Sequence, residues 1–145
     1  MQQADTLPYD PAAVIEFPLG LPGFESARSF ALLEDPGAAP ALLLQNLESA
    51  ELCFTVLAMG AIDAEYQLAL SAEDREALGA PPAGAPLACL AILAVTENGQ
   101  LTANLLAPVV VNPQTRQAVQ AVRMDRRYSH SHVLGARPGA EAPCW

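Results

Sequence analysis

The sequence predicts a mainly β chain: one small antiparallel β-barrel-like domain with one or two short helices. Three observations predict it. Short apolar stretches recur along the chain, and proline, glycine or asparagine bounds most of them, which is the pattern of an all-β sandwich or barrel. Several stretches alternate, so that in Glu51-Leu52-Cys53-Phe54-Thr55-Val56 the side chains of Leu52, Phe54 and Val56 share one face. An Asn98-Gly99 pair sits between two apolar runs, the strongest short-range hairpin signal. At 145 residues the chain is one ordinary domain that buries roughly two-thirds of its unfolded surface. Residues 13–134 are expected to form it, residues 1–12 to be a flexible N-terminal segment and residues 135–145 a disordered tail.

In chain order, Val14–Phe17 reads as the first strand. Leu21-Pro22-Gly23-Phe24 follows. Proline presets the second turn position and glycine accepts positive φ at the third, so a type II turn is expected. Phe30–Leu33, Ala41–Leu47, Leu52–Met59 and Tyr66–Leu70 read as further strands. Ser71 then precedes Ala72–Leu78, and Gly79 follows. Serine caps free amides, acids suit the positive end of the helix dipole and glycine ends the helix. The segment 80–86, with three prolines, is a loop. Residues 88–96 and 100–106 are expected to pair through a tight type I′ turn at Asn98-Gly99, and Val109–Val111 is a last short strand. Thr115–Met124 suits either a strand or a helix on its own residues.

Charged residues make up 16% of the chain, and the net charge is −9. Such a balance is a poor match for nucleic acid or an anionic membrane. The charge is uneven: residues 1–100 hold 14 acids against Arg28 and Arg75, while residues 101–145 hold Asp125 and Glu141 against five arginines. The start, MQQADTLPYD, has no basic and apolar leader. The longest apolar run, Leu87–Val95, is too short to span a bilayer as a helix. A cytoplasmic protein is expected.

The chemistry-bearing residue types form no catalytic pattern. Cys53 and Cys89 lie in apolar strands and read as buried thiols, and no CxxC spacing occurs. His130 and His132 flank Ser131, and with Cys144 they make the one conceivable metal set, which keeps a metal-assisted hydrolase open as a rival reading. A small-ligand-binding barrel is the other rival, and self-assembly through an edge strand is a third. No cofactor is called for. Two motifs remain. Gly20-Leu21-Pro22-Gly23-Phe24 offers Leu21 and Phe24 on a turn. Asn104 and Asn112 bracket Pro108, which has no amide to donate and so belongs on an edge strand or a bulge. An edge there could accept a partner by strand addition.

With their spacing, these motifs resemble the FliW family of flagellar assembly factors. The likeness is carried by Gly20–Glu25, Leu44-Gln45-Asn46-Leu47-Glu48, Leu52–Val56, Tyr66, Val95-Thr96, Thr102–Asn112, and Thr115–Gln120 through Asp125 and Tyr128. The stretch Ala58-Met59-Gly60-Ala61 departs from the family's pattern, which has a proline-containing loop there. The resemblance implies a β-barrel-like domain without catalytic activity and makes 116–124 a strand. It also implies two partners. One is CsrA, the translational repressor whose block on flagellin mRNA the factor relieves. The other is newly made flagellin. Direct contact with RNA is not implied. The partner-binding residues expected on this reading are Gly20, Leu21, Pro22, Gly23, Phe24, Asn104, Pro108 and Asn112.

Overall fold

A computed structural model describes residues 13–34, 37, 39–123 and 127–136. Eight strands follow in the order β1 Val14–Glu16, β2 Ser29–Glu34, β3 Leu42–Asn46, β4 Cys53–Ala58, β5 Ala88–Val95, β6 Gln100–Asn112, β7 Gln117–Gln120 and β8 His132–Ala136. A 3-10 turn, Met59–Ala61, follows β4, and helix α1, Ala72–Ala77, precedes β5. The spatial order is β5-β4-β3-β2-β1-β7-β6-β8, and β5 also pairs with β6. Seven strands therefore close into a barrel, and β8 adds to β6 outside the ring. Closure satisfies the backbone groups that an open sheet would leave at its edges. The neighbours are antiparallel except at the short parallel contact of Glu16 with Gln117.

The barrel interior holds Ile15, Phe17, Leu21, Phe30, Leu44, Val56, Leu90 and Val109, with Leu52, Phe54 and Ile92 packed against them. The predicted shared face of Leu52, Phe54 and Val56 is this interior face. Two outer clusters cover the barrel wall. Met59, Ile62, Tyr66, Tyr128 and Leu134 close over Ala91, Leu93, Ala103 and Leu105. Leu68, Leu70 and Leu78 close over Val110, Val119 and Ala121. Strand β6 is thus buried on both faces, which is why Val109-Val110-Val111 shows no alternation.

Helix α1 begins as the sequence predicts. The Ser71 Oγ accepts from the Asp74 amide at 3.0 Å, and the Asp74 carboxylate accepts from the Ser71 amide at 3.3 Å, which closes a capping box. Three expectations change. The hairpin at Asn98-Gly99 is not type I′, because only Gly99 has positive φ (+81°). The register Val95↔Leu101, with Thr96 and Gln100 joined at 2.8 Å, leaves three loop residues. That loop is a type I turn with glycine in the left-handed position. Tyr66–Leu70 is extended but joins no sheet. Side chains replace its ladder partners: the Gln67 amide donates to the Tyr128 hydroxyl at 3.1 Å, and Arg123 Nη1 donates to the Gln67 carbonyl. The ambiguous stretch forms β7 over Gln117–Gln120 and then continues outside the sheet. There the Ala121 and Arg123 amides donate to Pro108 and Leu106.

Strand β8 runs on through Gly135 and Ala136, two residues into the segment expected to be a tail. Residues 1–12 and 137–145 lie outside the described residues. Among the described residues, no helix is long and apolar enough to cross a membrane.

Candidate functional site

The first motif builds a rigid projection between β1 and β2. The Phe24 amide donates to the Leu21 carbonyl at 2.7 Å and Gly23 has φ +86°, which is the predicted type II turn. The Gly20 amide donates to Phe17 O at 2.9 Å, and the Ala27 amide to Phe24 O at 2.9 Å. Arg28 Nη1 reaches back to Pro18 O at 2.7 Å. Gly20 has φ +70°, and a Cβ there would stand 2.3 Å from the Glu25 carbonyl oxygen. Only glycine lets the two legs of the loop approach so closely. Leu21 turns inward and is 2% exposed. Pro22, Gly23 and Phe24 are exposed, and the Phe24 side chain stands 48% open.

Phe24 is nevertheless anchored. Its ring meets Phe54 edge-on at 6.5 Å, Phe54 meets Phe30 at 6.4 Å, and Phe30 meets Phe17 at 5.2 Å. All four phenylalanines of the chain thus form one series from core to surface. Such ring pairs add to plain area burial, so the exposed ring sits on a stiff base.

Two grooves flank this projection. One, of about 420 Å³, is lined by Phe24, Ala27, Asn46 and Leu52, with Glu48 and Glu51 on its rim. The other, about 230 Å³, lies between Leu19, Pro22 and Glu25 on one side and Val119 and Gln120 on the other. Leu19 is 41% exposed. The first groove's rim loop is held by the Gln45-Asn46 pair. Asn46 Oδ1 accepts from the Glu48 and Ser49 amides at 2.9 and 2.8 Å, and its Nδ2 donates to Ser29 O at 3.3 Å. Gln45 Nε2 donates to the Ser49 and Ala50 carbonyls, each at 3.2 Å. The sequence singled out the Phe24 ring but missed Leu19 and the two glutamates. The only signal for Leu19 was a large apolar residue placed between Pro18 and Gly20.

The second motif is scaffold. Strand β6 pairs with β5 over Leu101–Asn104 and Val109–Val111, with β8 over Gln100–Ala103 and with β7 over Val109–Asn112. Between these ladders the Leu105 amide donates to Ser129 O, and the Leu106 and Pro108 carbonyls accept from the Arg123 and Ala121 amides, so the described residues leave no run of backbone groups open there for strand addition. Its register against β5 shifts between Leu90↔Val109 and Ile92↔Asn104, so Pro108 lies in a bulge and not on an edge. Asn104 builds that bulge: its Oδ1 accepts from the Leu106 and Ala107 amides, each at 3.0 Å. Pro108 is fully enclosed. Asn112 is 4% exposed, and its Nδ2 donates to the Leu78 carbonyl at 2.7 Å, tying the end of α1 to the barrel. The side chains of Pro108 and Asn112 therefore have no surface to offer a partner.

A third cluster, not singled out by sequence, closes the outer wall. Tyr66 and Tyr128 stack at 4.4 Å, and the buried Arg123 guanidinium lies 4.9 Å from the Tyr128 ring centre. The Tyr66 hydroxyl donates to Leu105 O at 2.6 Å. Burial raises the Tyr66 phenol above its ordinary pKa, and Arg123 offsets this in part. Burial also pushes the neighbouring Cys89 thiol up to about 11. Cys53 differs from the buried thiol expected of it: it is half-buried and disulfide-bonded. His130 and His132 are exposed. Among the described residues no three histidine, cysteine or acidic side chains are placed to hold a metal, and Cys144 lies outside those residues.

A closed, filled barrel carrying a rigid apolar projection between two grooves defines a class: a small, mostly β domain built on a closed seven-stranded barrel. The family model described as FliW protein matches residues 1–134. A flagellar assembly factor FliW from Azoarcus sp. (strain BH72) is 35% identical over 118 residues, covering 75% of this chain and 79% of that protein. One from Symbiobacterium thermophilum is 37% identical over 117 residues, covering 79% and 84%. A solved crystal structure of the flagellar assembly factor FliW superposes with a TM-score of 0.75 at 25% identity, covering 88% of this chain and 89% of that one. The chain belongs to the FliW family of flagellar assembly factors.

Proposed function

We propose that this chain is a partner switch: it binds CsrA, relieving repression of flagellin mRNA, and it binds newly made flagellin. The observation that carries the reading is the Gly20–Phe24 projection, which holds an apolar ring open on a stiff base beside an acid-rimmed groove. Exposed aromatic anchors next to pockets are where binding energy concentrates. The net charge of −9 favours steering toward a basic RNA-binding protein such as CsrA. Phe24, Pro22 and Leu19 are the contacts we assign, with Gly20, Leu21 and Gly23 shaping the backbone. Asn104, Pro108 and Asn112 act behind them as support. The role is one of binding, in the cytoplasm, without catalysis. The small-ligand reading is weaker because Phe17, Phe30, Leu44 and Val56 fill the barrel interior.

Calorimetry with the host's CsrA and flagellin tests this. Binding to both, with flagellin displacing CsrA, supports the switch. Binding to neither by a folded chain, with both partners folded, overturns it. Phe24→Ala should weaken at least one partner by about tenfold or more, as loss of a buried aromatic anchor does.

A further inference from the structure

Strand β6 has no open edge, but its neighbour β7 has one. The register of β7 against β6 runs on past Gln120, where the Ala121 and Arg123 amides donate to the Pro108 and Leu106 carbonyls. Bonded and non-bonded residues alternate along an antiparallel ladder. The backbone groups of Ala118, Gln120 and Val122 therefore point away from β6, toward β1. Strand β1 meets β7 at one parallel contact, Glu16 with Gln117, and there the Glu16 amide donates to the Arg116 carbonyl at 2.9 Å. Phe17 turns to β2, its amide donating to Arg28 O at 2.7 Å. The next residue of the chain to face β7 is Pro18, which has no amide to give the Ala118 carbonyl. The Pro18 carbonyl, the acceptor that a continued ladder would offer the Gln120 amide, is taken by Arg28 Nη1 at 2.7 Å. Past Pro18 the chain bends away, and the groove of about 230 Å³ opens between Leu19, Gly20, Pro22 and Glu25 on one side and Val119 and Gln120 on the other. Among the described residues, the Ala118 and Gln120 carbonyls and the Gln120 and Val122 amides have no partner.

We propose that this edge of β7 docks an extended segment of newly made flagellin, which adds as a short strand in the place that β1 leaves. The inference rests on the binding reading above and assigns one of its two partners to one site. The open groups follow one another as acceptor, donor, acceptor and donor along 118–122. The backbone of an extended chain presents the complementary series at the same spacing. A folded partner has spent most of its backbone groups on its own helices and sheets, whereas a chain that has not yet assembled still has them to give. The side chains around the edge narrow the choice of segment. Leu19 and Pro22 make one apolar wall, and Val122, 50% exposed, makes another at the far end. Glu25 is the one charged side chain lining the groove, so a segment with a lysine or arginine next to an apolar residue fits best. Main-chain bonds supply the affinity and these side chains supply the preference.

Residue-resolved hydrogen exchange by NMR tests the site on the full chain, free and with the host's flagellin or CsrA. In the free chain the Gln120 and Val122 amides should exchange at least about tenfold faster than the Ala121 and Arg123 amides, which bond to β6. Flagellin should slow both by about tenfold or more, and CsrA should not. Val122→Pro removes one donor from an edge where proline is tolerated and should weaken flagellin binding by about tenfold, as loss of one hydrogen bond does. Val122→Ala keeps the amide and should lose about threefold at most. Equal protection of all four amides in the free chain would show the edge to be covered. Flagellin bound with no slowing of Gln120 and Val122 would show it to be solvated only. Either result overturns the docking site and leaves the binding reading standing, as does protection of these amides by CsrA in place of flagellin. Failure of the wild-type chain to bind folded-competent flagellin at all overturns both.

Discussion

The loop 17–28, with two prolines and two glycines, and the β6 bulge 104–112, with two asparagines around a proline, both stand out in the sequence. They end in opposite roles. In the loop, backbone hydrogen bonds and Arg28 satisfy the chain internally, which leaves Phe24 and Leu19 facing water. In the bulge, the side chains themselves satisfy the backbone, with Asn104 serving two amides and Asn112 one carbonyl. In the loop, turn bonds with Glu25 and Arg28 serve the backbone, so its apolar side chains are left for the surface. In the bulge, the asparagines that mark the motif are themselves consumed by the backbone, and the motif is scaffold.

This contrast can be broken from either side. Gly20→Ala should have the largest effect, about 3 kcal/mol of lost stability in urea unfolding, because it combines a left-handed φ with a clash against backbone. Unchanged stability would mean that the loop is not held as described. Asn112→Ala should cost about 2 kcal/mol, because it leaves the Leu78 carbonyl only the longer bond from Thr115 Oγ1 and takes away the acceptor of the Gln114 amide. Its partner binding should stay intact once the chain is folded, and selective loss of binding would return Asn112 to the contact surface. Phe24→Ala should do the reverse. Its stability loss should stay below about 1 kcal/mol, since the ring is half-open already, while binding falls. A coincident collapse of the fold would make Phe24 scaffold too.

The smallest effect concerns the outer wall. Folding raises the Cys89 thiol to about 11 and raises the Tyr66 phenol as well. Each is an acid that holds its proton more tightly when folded. The associated stability is complete below the unfolded thiol's pKa and is lost as pH rises through about 11. Urea midpoints should therefore fall between pH 8 and 11, and Cys89→Ala should make that fall shallower. A midpoint that rises over this range would contradict the burial of both groups.

Local residue chemistry was enough for much of the molecule. Six of the strands, the capped helix and the Pro22-Gly23 turn follow from short apolar runs between turn residues, Ser71 and a glycine's access to positive φ, all of which act over a few residues. On those signals β6 reads as two strands, β7 stays open between strand and helix, and β8 is not foreseen. The same reading misjudged Tyr66–Leu70, whose alternation is real but whose ladder partners are the distant Tyr128 and Arg123 side chains. It also gave Asn98-Gly99 two loop residues where the pairing of β5 with β6 leaves three. The Phe24 half of the candidate site was legible as an apolar residue on a tight turn. The grooves were not, because Glu48, Glu51 and Val119 reach the loop only through strand order.

By itself, then, the sequence determined a β-rich chain, its turns and its helix cap, since those depend on dihedral preference and nearest-neighbour hydrogen bonds. Only the tertiary structure decided which asparagine faces inward, that β6 has no free edge and that four phenylalanines line up from core to surface. Those outcomes depend on which strands become neighbours when the barrel closes, and that is fixed by long-range burial rather than by any local run of residues.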